Sequence, residues 1–160
     1  MDLETGLGAE LQRRLKGNLL LIGTGNTLRG DDGAGPALIE LLQGEVRAGL
    51  LDAGEIPESY LGRILGANAE TIVLIDAADF GGAAGDIAVL ETEDLAGCSL
   101  STHGLPLDLF FRYLKENSRA DMFALGIQPA QIDFGASMTP EISASVEGLA
   151  NLLKRIVGRE

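Results

Sequence analysis

Asp32, Asp76 and His103 are the residues of this chain whose types and positions could do chemistry together. All three could converge at one end of the expected sheet. Two carboxylates and an imidazole make a site for a borderline transition metal such as nickel or zinc. The same three groups make an acid–base site. His103 is the only histidine, so a zinc site of the His-rich kind is out of reach. Each residue also has a plainer reading. Asp31 or Asp32 can cap a helix, where a carboxylate satisfies orphan amides and suits the dipole. Asp76 follows an apolar run and can open the next turn, and His103 taken alone can be structural or exposed.

Other chemistries find less support. The stretch Gly23-Thr24-Gly25-Asn26-Thr27-Leu28 lacks the third glycine of a dinucleotide fingerprint. Asp31 and Asp32 stand where a pyrophosphate would meet the helix N-terminus, and two negative charges there repel it. The loop holds no Walker lysine. Cys98 lies near His103, but no orienting Asn or Asp and no strand-to-helix elbow accompany it, which favours a buried or inert thiol. There is no G-x-S-x-G elbow for serine chemistry.

The elements that must position these residues read as alternating strands and helices. Leu7, Leu11 and Leu15 sit at helical spacing and mark residues 1–17 as an amphipathic lead-in helix or tail. The apolar run Leu19-Leu20-Leu21-Ile22 reads as a buried strand ending in glycine-rich sequence. Pro36, tolerated only in a first turn, sets a helix beginning near Asp32 or Gly33 and running to about Leu42. Further strands are expected around Ala48 to Leu51, Thr71 to Ile75, Asp86 to Leu90 and Met122 to Ile127. Helices are expected over Ser59 to Leu65, Leu105 to Leu114, and from a Thr139 cap with Pro140 in the first turn to Val157. This order predicts an α/β fold: one domain, a three-layer sandwich with a mostly parallel twisted sheet and helices on both faces. Ligands of such sheets bind outside the carboxyl ends of the strands. That rule selects Gly23 to Asp32, Asp52 to Gly54, Asp76 to Asp79, and the loop carrying His103.

Bulk properties narrow the setting. With 160 residues the chain suits a single domain, and no repeat or domain boundary interrupts it. The core is aliphatic, since aromatic residues make up 4% of the chain and Trp is absent. Acids outnumber bases 24 to 12, giving a net charge of -12, which argues against nucleic acid and against an anionic membrane surface. One cysteine permits no internal disulfide, and the acidic Met1-Asp2-Leu3-Glu4 lacks the order of a signal peptide. A cytoplasmic, monomeric protein with no membrane contact is the expectation.

The motifs also resemble a known family. Gly25-Asn26-Thr27-Leu28-Arg29-Gly30-Asp31-Asp32-Gly33-Ala34-Gly35-Pro36 is similar to the opening signature of the hydrogenase maturation endopeptidases. Asp52-Ala53-Gly54-Glu55-Ile56-Pro57 resembles their second block and Ile75-Asp76-Ala77-Ala78-Asp79 their third. Thr102-His103-Gly104-Leu105-Pro106-Leu107 resembles the histidine block. Gly126-Ile127-Gln128-Pro129 and Met138-Thr139-Pro140-Glu141 resemble the C-terminal part. The resemblance spans Asn18 to Val157 and is nearest to the type acting on hydrogenase 3, the formate-hydrogenlyase enzyme; it makes residues 18–160 the protease domain. It implies a single cut near the C-terminus of a nickel–iron hydrogenase large-subunit precursor, made after nickel insertion. Asp32, Asp76 and His103 fall on the family's nickel-contacting positions, while Gly25, Asn26, Asp52 and Gly54 fall on blocks linked to substrate recognition. No tightly bound cofactor is implied; the nickel is contacted in the substrate. Ala53 stands where close relatives carry Gly, and a left-handed backbone there would be strained by alanine.

Overall fold

The computed structural model describes residues 6–96 and 106–159, together with the backbone of residues 99–100. The chain begins with α1 (Gly8–Arg14) and β1 (Leu19–Thr24), followed by α2 (Ala34–Leu42) and β2 (Gly49–Gly54). Then come α3 (Leu61–Gly66), β3 (Thr71–Asp79), β4 (Ile87–Leu90), α4 (Thr92–Leu95) and the short β5 (Ser99–Leu100). The last elements are α5 (Leu107–Asn117), β6 (Asp121–Ile127) and α6 (Pro140–Val157).

The main sheet has the order β2-β1-β3-β6-β4. Pairing is parallel except at the edge, where β4 runs antiparallel to β6. β5 pairs antiparallel with the end of β3. Every residue of β1 is buried, and so is every residue of β3 up to Ala78. Helices cover both faces of these central strands, so an unbroken apolar run is what such a strand needs. β2, at the edge, alternates between buried and open positions.

Two apolar layers result. On one face Leu21, Val73 and Ile75 pack with Leu38, Ile39 and Leu42 of α2 and with Leu149 and Leu153 of α6. Leu7, Leu11 and Leu15 join that same cluster, so α1 is part of the core packing. Arg14 at its end pairs with Asp121 and Glu91, and its guanidinium lies 4.3 Å from the Phe123 ring centroid. Those carboxylates raise its pKa further above the ordinary arginine value. On the other face Ile22, Ile72 and Leu74 pack with Ile64, Phe110, Phe111 and Leu114.

Several expectations are refined. β3 continues past Ile75, so Asp76 lies inside a strand and does not open a turn; Asp76 and Ala77 have Gly126 and Ile127 of β6 as partners. α2 starts at Ala34, behind a 3-10 turn over Gly30–Gly33. Thr139 precedes α6 without capping it through its side chain. The short helix α4 was not anticipated in so polar a stretch; Glu91 and Asp94 form a reciprocal capping box there. Among the described residues no helix is long and apolar enough to cross a membrane.

Candidate active site

The sheet order places a topological switch between β1 and β3. From β1 the chain crosses over α2 to β2 on one side, and from β3 the remaining strands lie on the other. The two crossovers leave a crevice at the carboxyl ends of β1 and β3, the place where open α/β sheets bind ligands. Asp32 follows β1 and Asp76 lies near the end of β3, so both flank this crevice.

The close seating of α2 holds the turn that carries Asp32 against the strands at this crevice. A Cβ on Gly35 would lie 2.4 Å from the Ile75 carbonyl oxygen and 2.5 Å from that of Thr24. The first turn of α2 therefore rests directly on the backbones of β1 and β3. Asp32 is three residues before Gly35 and Asp76 directly follows Ile75. Gly25 shows the same crowding from the strand side: it has φ 137°, and a Cβ there would lie 1.9 Å from the Asp32 carbonyl oxygen.

Asp32 is wholly buried. Its Oδ2 accepts a hydrogen bond from the Asn26 amide at 3.0 Å, but its buried Oδ1 has no partner among the described residues. A buried carboxylate oxygen left unsatisfied costs about 1–3 kcal/mol or more. Native structures rarely tolerate this outside sites where the group has a use. Asp76 is also buried, at 1% exposure. His103 and Cys98 lie outside the described residues.

The residues expected to recognise substrate adjoin this pair. Asn26 donates from Nδ2 to Glu55 Oε1 at 3.1 Å and accepts from the Leu28 amide at 2.8 Å. The Gly25 amide donates to the Gly54 carbonyl at 2.8 Å, joining the loops after β1 and β2. Asp52 is exposed and accepts from the Gly54 amide at 3.0 Å. Together with Thr27, Pro36, Glu40 and Met138 it lines a cavity of about 420 Å³ beside α2. Ala53 carries no strain, since the left-handed residue of that block is Gly54, at φ 57°. Glu55 was missed as a partner of Asn26; nothing in the spacing of the two residues signals it.

Neither aspartate of the 31–32 pair caps α2. Asp31 is buried and accepts from the amides of Ala130, Gln131 and Thr139 at 2.9, 2.9 and 2.7 Å. The Thr139 hydroxyl donates to the same carboxylate at 3.0 Å. The Thr139 hydroxyl thus bonds Asp31 and makes no cap bond to α6. Charge-assisted hydrogen bonds of this kind contribute about 1.5–3 kcal/mol each before non-additivity. Asp31→Ala should therefore lower unfolding free energy by about 3 kcal/mol, and Asp31→Asn, which keeps one acceptor, by less. Urea unfolding of the three proteins checks this ordering; equal midpoints would remove Asp31 from the list of structural anchors.

The fold is that of an α/β protein that buries two aspartates, Asp32 and Asp76, beside the crevice at the ends of β1 and β3. Comparison with known proteins narrows the class. Residues 36–156 match the family described as HycI, hydrogenase maturation protease. The hydrogenase 3 maturation protease of Escherichia coli K12 is 34% identical over 131 residues, covering 80% of this chain and 83% of its own. The crystal structure of the [NiFe] hydrogenase maturation protease HycI from Thermococcus kodakarensis superposes with a TM-score of 0.84 at 33% identity, covering 92% of this chain and 97% of that one. The hydrogenase maturating endopeptidase HybD from E. coli, at 20% identity and a TM-score of 0.69 over 89% of this chain and 98% of its own, shares the fold. This chain belongs to the hydrogenase maturation proteases and is thus a peptidase.

Proposed function

We propose that this protein removes the C-terminal extension of a nickel–iron hydrogenase large-subunit precursor once nickel has been inserted. The observation that carries the reading is the buried Asp32 carboxylate, whose Oδ1 lacks a hydrogen-bond partner among the described residues, at the crevice that the buried Asp76 also flanks. A carboxylate held in this way is prepared to receive a cation or a polarised water from a substrate. In this reading Asp32, Asp76 and His103 contact the nickel already in the precursor. That contact checks metal insertion and positions the scissile bond. Asp32 or Asp76 then takes the proton of the attacking water, or the substrate's own metal polarises it. The names aspartic and metal-assisted describe these two routes. Gly25, Asn26, Asp52 and Gly54 shape the wall along which the extension lies. The enzyme works in the cytoplasm as a single chain, in keeping with one cysteine and a net charge of -12.

A processing assay tests this. The purified protein is mixed with its precursor, nickel-loaded or nickel-free, and the precursor mass is followed. A single C-terminal loss in the loaded sample alone is expected. Stable co-elution without any loss of mass would make the protein a binding module. Cutting without nickel would keep the protease and discard the nickel-reading role of the three residues.

A further inference from the structure

The rim of the crevice is unusually apolar. Leu28 is 61% exposed, Ile56 51%, Ile132 37% and Phe134 76%. These are four of the seven large apolar side chains exposed among the described residues, the others being Leu41, Leu109 and Tyr113. Single exposed apolar side chains are ordinary, but a group of them beside a site marks an interaction surface.

The loops that carry the four are tied to one another by hydrogen bonds. The Gly135 amide donates to the Leu28 carbonyl at 2.7 Å, and the Gly30 amide to that of Ala136 at 3.1 Å. Arg29 Nε donates to the Ile132 carbonyl at 3.3 Å, which keeps that side chain against its own loop. Asn26 reaches Glu55, next to Ile56. The Asp31 carboxylate holds residues 130, 131 and 139 from within. A buried charge thus fixes a loop whose tip presents Phe134 to solvent. Such preorganisation lowers the entropy lost when a partner docks.

We propose that Leu28, Ile132 and Phe134, with Ile56 on the adjoining loop after β2, form the docking surface for the folded body of the large-subunit precursor. The proposal rests on the processing function above and names where the substrate is gripped apart from its scissile segment. The occupant follows from continuity: the surface borders the crevice, so a protein whose tail enters there must lie against it. Charge adds to this. Glu55 and Asp133 flank the apolar residues on a chain of net charge -12, so the matching face is apolar with basic flanks. Aromatic anchors at the centre of such contacts carry much of the binding.

The test uses the full chain and the nickel-loaded precursor. Leu28→Ser with Phe134→Ser should raise KM for the precursor at least about tenfold, with kcat at saturation unchanged. The control pair Leu109→Ser with Tyr113→Ser, on α5, should leave both constants unchanged. Both pairs are surface changes, and matching melting curves would establish that each variant is folded. Wild-type processing with an unchanged KM in the rim variant would overturn the docking surface while leaving the protease reading intact. An equal rise in the control pair would overturn it as well. If the wild-type chain neither bound nor cut the precursor, the functional reading itself would fall and take the surface with it. Sedimentation gives the last arm: a self-association abolished by the rim substitutions would assign the surface to a second copy and overturn the proposal.

Discussion

Asp76→Asn should leave the protein folded and lower its processing rate by about 10²–10⁴-fold, the range by which a positioned acid or base contributes to catalysis. The substitution is nearly isosteric, and position 76 lies in the middle of the sheet between Ile75 and Ala77, both buried. Its amide cannot take a proton and is a poor ligand for a cation. Asp32→Asn should reduce the rate to a similar extent, with a contrasting effect on stability. The Asn26 amide would still find an acceptor in the new side-chain carbonyl, while a neutral amide nitrogen, less costly to bury than a charge, would replace the Oδ1 that has no partner among the described residues. Unfolding free energy should therefore hold or rise at Asp32→Asn while activity falls, the exchange of stability for function expected of a strained site. Precursor mass and thermal midpoint, measured on the same preparations, decide the matter. An Asp76→Asn or Asp32→Asn protein that cuts at the wild-type rate would remove that residue from the catalytic set. An Asp32→Asn protein that loses both stability and activity would make the residue a structural one.

Gly35→Ala should cost about 3 kcal/mol or more, the upper range for overpacking a core. The added methyl would meet backbone atoms: the carbonyl oxygens of Ile75 and Thr24 and the Thr24 amide nitrogen, all within 2.8 Å. None of these can rotate away, as the end of a flexible side chain could. α2 would have to lift from the sheet, and with it the turn that carries Asp31 and Asp32. For a domain of this size the melting temperature should fall by roughly 10 °C. Processing by whatever fraction remains folded should fall as well, because the seating that holds the turn carrying Asp32 against the strands is lost. Gly62→Ala makes the comparison, since a Cβ there meets nothing within 4 Å in α3. Equal melting temperatures for the two variants would show that α2 can retreat without consequence, and the close-seating argument would fail.

The order of elements was legible in the residues because each carries its own period. Leu19 to Ile22 and Ile72 to Ile75 are unbroken apolar runs, which suits strands covered on both faces. Pro36 and Pro140 mark helix starts through the missing amide hydrogen. The rule that strand ends carry ligands then points to the segments holding Asp32, Asp52 and Asp76. What these local signals determine is element type and chemical potential, position by position.

Only the tertiary structure separated the two neighbouring aspartates. Asp31 and Asp32 share a turn and a residue type, and either suits a helix cap. In the fold Asp31 is held by groups about a hundred positions away, at residues 130, 131 and 139, while Asp32 keeps a buried oxygen without a hydrogen-bond partner among the described residues. Thr139 likewise had every local mark of a cap, but its hydroxyl goes to Asp31. The antiparallel course of β4 and the extension of β3 were decided the same way, by pairing with β6, which runs along β3 as far as Ala77, and with β5 at Ala78 and Asp79. Propensity and periodicity act over a few residues. Which buried polar group meets which partner depends on chain crossings that bring distant segments together, and that information exists only once the sheet has formed.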